Sequence, residues 1–234
     1  MIYAPLVNET AGQALGAAAA RRLARYKEPD TAIGSGLTSA EFDGIERDYG
    51  VEFSDDHRAF LAAGLPVSLP RVSEEGVTYA WERPWPDWRH GDPDDLRRRL
   101  DWPIDGVLHD VEHNALWHAS WGERPTGVSR ALAVAQANLA RVPRLIPIYG
   151  HRYLPSGHGT FAHPVLSIWG ADVIVYGADL HGYIQAEFRP SRSRRADLSA
   201  DLATVPFWRE LELLAVSEGG VGTRLLLRGS LPSP

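Results

Sequence analysis

Apolar residues recur at helical spacing in several separate segments of the chain. Residues 8–27 are rich in alanine and carry a weak apolar stripe, which predicts a helix attached at the periphery of the fold. Thr38 and Glu41 have the spacing of a capping box, so a helix is expected to begin there and to end at Gly50. A second helix is expected over residues 54–64. This part of the chain therefore predicts two short helices joined at a tight angle.

The rest of the chain alternates between helical patterns and short apolar runs. Further helices are expected over residues 92–100, 128–141, 179–188 and 206–216. Strands are expected over residues 77–81, 145–149, 165–169 and 173–176, and residues 106–111 are interpreted as a strand that enters a turn at Asn114. The strict βα alternation of a doubly wound sheet is missing. We therefore predict the α+β class, with a largely antiparallel sheet flanked by helices.

Length and composition favour one main domain. The chain has 234 residues, of which 44% are hydrophobic, and this is enough for one substantial core. We expect an N-terminal helix and linker over residues 1–35, a single α+β domain over 36–216, and a tail over 217–234 that contains an edge strand. Because the chain has no cysteine, disulfides, thiolate metal sites and cysteine nucleophiles are excluded.

The charge of the chain and the length of its apolar runs narrow the class of partner. A net charge of -6 argues against sequence-independent binding to nucleic acid, which requires a dense basic face, and favours a basic partner. We identify no signal peptide and no apolar run near the roughly 20 residues that span a bilayer. The protein is therefore expected to be soluble and cytoplasmic, with no membrane or nucleic-acid partner.

Two parts of the chain resemble the SUKH superfamily. The first is the pattern of a helix, a glycine turn and a second helix, with GLTSAEFDGIE at residues 36–46 followed by YGVEFSDDHRAFL at 49–61. The second is the series LIPIY at residues 145–149, PVLSI at 164–168 and DVIVY at 172–176, followed by a helix that reaches Phe188. The resemblance implies a SUKH-like fold and a non-enzymatic binding domain. Many bacterial members are immunity proteins that neutralise a co-encoded toxin, and others are regulators, so it also implies a protein partner such as a cognate toxin.

Tryptophans and histidines concentrate in the middle of the chain, next to a glycine-rich segment at residues 150–159. Tryptophan gives a large contact area for little lost side-chain entropy, and loops of this kind often carry binding residues. We therefore predict one partner-binding surface and no cofactor. Its residues are expected to be Trp85, Trp88, Trp117, His118, Trp121, His151, Arg152 and Tyr153.

The alternative function is that of a zinc-dependent hydrolase. His109, Glu112 and His113 match the pattern H-x-x-E-H, in which two histidines bind zinc and the glutamate acts as a base. That chemistry requires a helix, because only a helix places both histidines on one face. On the expected strand the two histidines would lie about 13 Å apart. The strand interpretation therefore favours the binding protein over the enzyme.

Overall fold

The structure is a computed structural model of the chain and describes residues 6–26, 30–69, 83–188 and 206–211. Its helices are α1 (Leu6–Arg25), α2 (Ser39–Tyr49), α3 (Asp55–Ala63), α4 (Pro93–His113), α5 (Val128–Leu139) and α6 (Leu180–Glu187), with a short 3-10 helix at Ala119–Trp121 and a helical turn at 208–211. Its strands are β1 (Thr31–Gly34), β2 (Leu65–Ser68), β3 (Leu145–Tyr149), β4 (Arg152–Pro155), β5 (Val165–Trp169) and β6 (Asp172–Gly177). β1 pairs with β2, and the other four form an antiparallel sheet in chain order. The predicted α+β class is confirmed.

The chain divides into two compact units. The first comprises Met1–Leu100, Pro143–Ser167 and Val175–Thr204, and the second comprises Asp101–Val142, Ile168–Ile174 and Val205–Pro234. The predicted domain limits at residues 36 and 216 stay a prediction. In the described parts of the chain, none of the helices combines the length and the apolar character that crossing a membrane requires.

Helix α1 belongs to the core of the first unit, so the prediction of a peripheral helix is wrong. Ala19 and Leu23 are buried in the main apolar cluster of this unit. A Cβ atom at Gly16 would lie 2.0 Å from the carbonyl oxygen of Asp56 in α3. Only glycine permits so close an approach of two helices. Alanine and glycine in α1 therefore reflect tight packing rather than a weak attachment.

Helices α2 and α3 form as predicted, and the capping box at the start of α2 is confirmed. The side-chain oxygen of Thr38 accepts a hydrogen bond from the Glu41 amide at 3.3 Å, and the Glu41 carboxylate accepts one from the Thr38 amide at 2.7 Å. The Arg89 guanidinium also donates to this carboxylate, and mainly for that reason the pKa of Glu41 is lowered to about 2. Gly50 ends the helix at φ 61°.

The positions of three described strands were not predicted. β1 lies in the expected linker, with β2 as its partner, and β4 lies in the expected glycine-rich loop, between β3 and β5. Each has only four residues. Such short strands are defined by cross-strand pairing more than by their own composition. The expected strands at 77–81 and in the tail, and the end of the expected helix 206–216, lie outside the described residues.

Helix α4 contradicts the prediction of a strand at residues 106–111, because it continues to His113 with Pro103 inside it. Proline has no amide hydrogen and therefore leaves the carbonyl of the residue four positions earlier without its helical donor. That carbonyl belongs to Arg99, and it accepts a hydrogen bond from the buried Tyr153 hydroxyl at 3.0 Å. Tyr153 thus stabilises the helix at the point where proline would otherwise favour its end.

Replacing Tyr153 with phenylalanine is expected to lower the free energy of unfolding by about 1–3 kcal/mol, because a buried carbonyl loses its donor. The same change in a Pro103→Ala background is expected to cost less, because the new amide at position 103 can donate to the Arg99 carbonyl. Urea denaturation of the four proteins of this double-mutant cycle measures the difference. Equal costs in both backgrounds, within about 0.3 kcal/mol, would contradict this account.

Candidate functional site

Five of the eight residues predicted to bind a partner are buried: Trp85, Trp88, His118, Trp121 and Tyr153. These five side chains therefore do not belong to an exposed contact surface. The eight residues also belong to both units, with Trp117, His118 and Trp121 in the second and the other five in the first. Partner contact through the remaining three, Trp117, His151 and Arg152, stays a prediction.

Trp85 and Trp88 fill the core of the first unit. The Trp85 ring stacks on Phe188 with ring centroids 5.5 Å apart, and its indole N–H donates to the Thr31 hydroxyl at 3.0 Å. Trp88 contacts Phe53 edge to face. Both indoles therefore serve apolar burial, which is the commoner role of clustered aromatic residues.

Arg152 lies on β4, partly buried, and contacts residues of the first unit. Its guanidinium carbon lies 3.7 Å from the ring centroid of Tyr176, and one terminal nitrogen donates to the Ser167 hydroxyl at 3.1 Å. His151 is exposed at the turn before this strand. The glycine-rich segment after β4 is tied down as well, since the Gly157 and Gly159 amides donate to acceptors of Glu52 and Asp55. This segment is therefore a loop whose backbone is held by hydrogen bonds to the residues around α3.

His118 is the centre of a second aromatic cluster, within the second unit. Its Nε2 lies 2.7 Å from a Glu210 carboxylate oxygen, and its Nδ1 accepts a hydrogen bond from the Ser120 amide at 3.3 Å. Because an amide can only donate, Nδ1 carries no proton and Nε2–H donates to Glu210. Trp121 stacks on Phe207 at 5.9 Å. These contacts fix the positions of the rings and leave His118 buried.

A different tryptophan pair is accessible in the second unit. Trp169, at the end of β5, is 50% exposed, and its ring lies 5.5 Å from that of Trp102 in α4. Ile174 on β6 is 37% exposed. The indole N–H of Trp102 is buried without a hydrogen-bond acceptor. We call Trp102, Trp169, Ile174 and the neighbouring Asp105 the Trp102–Trp169 surface.

Two glycines and one aspartate hold this surface in place. A Cβ at Gly106 in α4 would lie 2.8 Å from the Cα of Gly170, which has φ 61° at the turn after Trp169. Asp110, one helical turn after Gly106, is buried and accepts hydrogen bonds from the Ala171 amide and the Asn114 side chain, both at 2.6 Å. The turn that carries Trp169 is thus fixed to α4 by backbone contact and a charged acceptor.

The side of α4 next to the tryptophan pair is acidic. Asp101 and Asp105 are spaced four residues apart, which places two like charges on one helical face. The pKa of Asp105 is raised, first by burial and then by the charge of Asp101. A basic group from a partner would relieve this repulsion.

The H-x-x-E-H residues are helical, so the strand objection to a metal site is wrong. The ring centroids of His109 and His113 are 4.5 Å apart, and a Glu112 carboxylate oxygen lies 3.5 Å from Nε2 of His113. Across the residues that the structure describes, no group of three or more histidine, cysteine, aspartate or glutamate side chains is arranged to hold a metal ion. The zinc hydrolase alternative stays a prediction, with two of its histidines now on one face.

Comparison with known proteins gives no match to this chain among family models, curated proteins or solved structures. The resemblance to the SUKH superfamily is therefore neither supported nor refuted.

Gly106→Ala is expected to lower the free energy of unfolding by about 1–3 kcal/mol, because the new methyl group clashes with the Gly170 backbone. Gly44→Ala in α2 is the matched control. A Cβ there would meet only a flexible arginine nitrogen at 3.7 Å. Since alanine favours a helix, this control is expected to raise stability by about 0.5–1 kcal/mol. If both changes stabilise the protein in urea denaturation, the close contact at Gly106 does not exist.

Asp105→Asn is expected to stabilise the protein at neutral pH, because a raised carboxyl pKa means that ionisation opposes folding. At pH 3 and below, where this carboxyl is protonated in both states, wild type and variant should agree. Asp92→Asn should show the opposite sign at neutral pH, because backbone amides lower the pKa of Asp92. Thermal unfolding from pH 3 to 7 measures both, and a neutral-pH loss in Asp105→Asn would contradict the prediction.

Proposed function

We propose that this chain is a non-enzymatic protein-binding domain that docks a basic protein on the Trp102–Trp169 surface. The observation that carries the proposal is the half-exposed Trp169 side chain, whose ring lies 5.5 Å from that of Trp102. Tryptophan is enriched among the residues that dominate binding energy in protein interfaces. A ring that already packs against a neighbour loses less conformational entropy when a partner covers it.

The acidic residues of α4 suit a partner with a basic surface. Asp101 and Asp105 lie on the same helix as Trp102, and the whole chain carries a net charge of -6. Negative charge beside an exposed tryptophan is complementary to a basic surface on a partner. Binding should therefore be accelerated by electrostatic attraction and weakened by salt.

The resemblance to the SUKH superfamily supports a specific partner. The residues of its opening motif form α2 and α3. Helix α2 begins with the predicted capping box and ends at the predicted glycine. The resemblance implies an immunity protein, so the proposed partner is a bacterial toxin with a basic surface. A regulatory protein with a basic surface is the second candidate within the same binding class.

The test uses the full chain as bait, with a photo-crosslinking amino acid at position 169, and identifies the protein that is crosslinked. Affinity is then measured with the purified partner. Trp169→Ala is expected to weaken binding by about 2 kcal/mol or more, which corresponds to about 30-fold. Val128→Ala, which changes a residue 47% exposed elsewhere in the same unit, should leave affinity unchanged.

Charge is tested with the same partner. Asp105→Lys should slow association, and the effect should shrink as salt rises from about 50 to 500 mM. Growth rescue of cells that express the partner would distinguish a toxin from a regulatory protein. A partner that binds Trp169→Ala and Asp105→Lys as tightly as wild type would show that the surface has been assigned wrongly.

A further inference from the structure

His109 and His113 are a pair of imidazoles placed side by side on the last two turns of α4. Their four-residue spacing puts them on one helical face, and their ring centroids are 4.5 Å apart with 52° between the ring planes. The His113 side chain is 54% exposed, and the His109 side chain is partly buried. A solute can therefore reach the gap between the rings.

The separation of the rings suits coordination of one ion by both residues. Zinc binds imidazole nitrogen at about 2.0–2.1 Å, so two nitrogens in a tetrahedral site lie about 3.3 Å apart. Rings with centroids 4.5 Å apart can bring one nitrogen each to that separation by side-chain rotation alone. Imidazole favours zinc, nickel and copper, whereas magnesium and calcium favour oxygen ligands.

We propose that His109 and His113 form a two-histidine clip that binds one divalent zinc, nickel or copper ion. Across the described residues no third protein ligand joins the pair. Water completes the coordination of the ion. The clip therefore differs from the three-ligand centre that a zinc hydrolase requires, and it does not depend on the proposed protein partner.

Negative groups surround the histidine pair, with the Arg124 guanidinium at the Val111 carbonyl as an opposing charge. The pair occupies the C-terminal end of α4, where the helix dipole is negative. A carboxylate oxygen of Glu112 lies 3.5 Å from Nε2 of His113 and adds negative charge beside the clip. Asp105 precedes His109 by one turn on the same face.

The end of the helix is already ordered before an ion binds. The Arg124 guanidinium donates to the Val111 carbonyl at 2.7 Å, and the Asn114 amide donates to the Asp110 carbonyl at 2.9 Å. These two hydrogen bonds hold the final turn of α4, which carries His113, in its helical form. Because the ligands lie on a rigid element, little conformational entropy is lost when they close on an ion.

The experiment is titration of the full chain, purified without a polyhistidine tag, with Zn²⁺, Ni²⁺ and Mg²⁺ in a calorimeter. We expect one equivalent of Zn²⁺ or Ni²⁺ and no heat from Mg²⁺. His109→Ala and His113→Ala should each abolish stoichiometric binding. The control is a double change at two histidines elsewhere, His90→Ala with His181→Ala, which should bind as wild type does.

Spacing is tested by moving the pair along the helix. Asp105→His in the His113→Ala background places two histidines four residues apart again, one turn earlier, and should restore one equivalent of bound ion. Circular dichroism checks that every variant is folded. A wild type that binds no Zn²⁺ or Ni²⁺, or a His109→Ala, His113→Ala double variant that binds them equally well, overturns the proposal.

Discussion

The hydrogen bond from the Tyr153 hydroxyl to the Arg99 carbonyl is the contact on which the candidate site depends. Pro103 cannot supply the amide that this carbonyl would accept in an unbroken helix, and a buried carbonyl without a donor costs about 1–3 kcal/mol. With Tyr153 in that role, α4 continues for ten residues beyond the proline. The close glycine contact, the buried aspartate and the histidine pair all belong to that continuation.

Helices α2 and α4 together show what local sequence can and cannot predict. Thr38, Glu41 and Gly50 act through groups a few residues away, so the start and end of α2 follow from sequence. Pro103 and Gly106 are helix breakers by the same local rules, and the predicted helix accordingly stopped too early. The contacts that reverse their effect are not local. Tyr153 lies 54 residues from Arg99, and position 106 requires glycine because the backbone of Gly170 lies against it. Glycine selected for close approach cannot be distinguished in one sequence from glycine that ends a helix.

An aromatic contact surface was predicted, but most of the residues chosen for it are buried. The clustered tryptophans did indicate aromatic contacts, yet Trp85, Trp88 and Trp121 are buried. Within the described ranges the half-exposed tryptophan is Trp169, which lies outside that cluster. Composition does not state which face of an element meets solvent. The one available signal at Trp169 was its position at the end of an apolar run, directly before the turn glycine 170, where a strand leaves the core. For the histidine pair the sequence pattern was identified, but the element was predicted to be a strand and is a helix.

Trp102 and the two histidines of the proposed clip lie on one face of α4. From Trp102 the steps to Gly106, His109 and His113 are four, three and four residues, which is the spacing of a single helical stripe. Gly106 leaves the middle of that stripe open, and the turn at Gly170 occupies the opening, so Trp169 stands beside Trp102 while the histidines follow one turn later. A protein docked on the tryptophans and an ion held by the histidines would therefore both require α4 to remain helical beyond Pro103. Loosening the helix there should weaken both kinds of binding together, whereas a change confined to either end of the stripe should weaken only one.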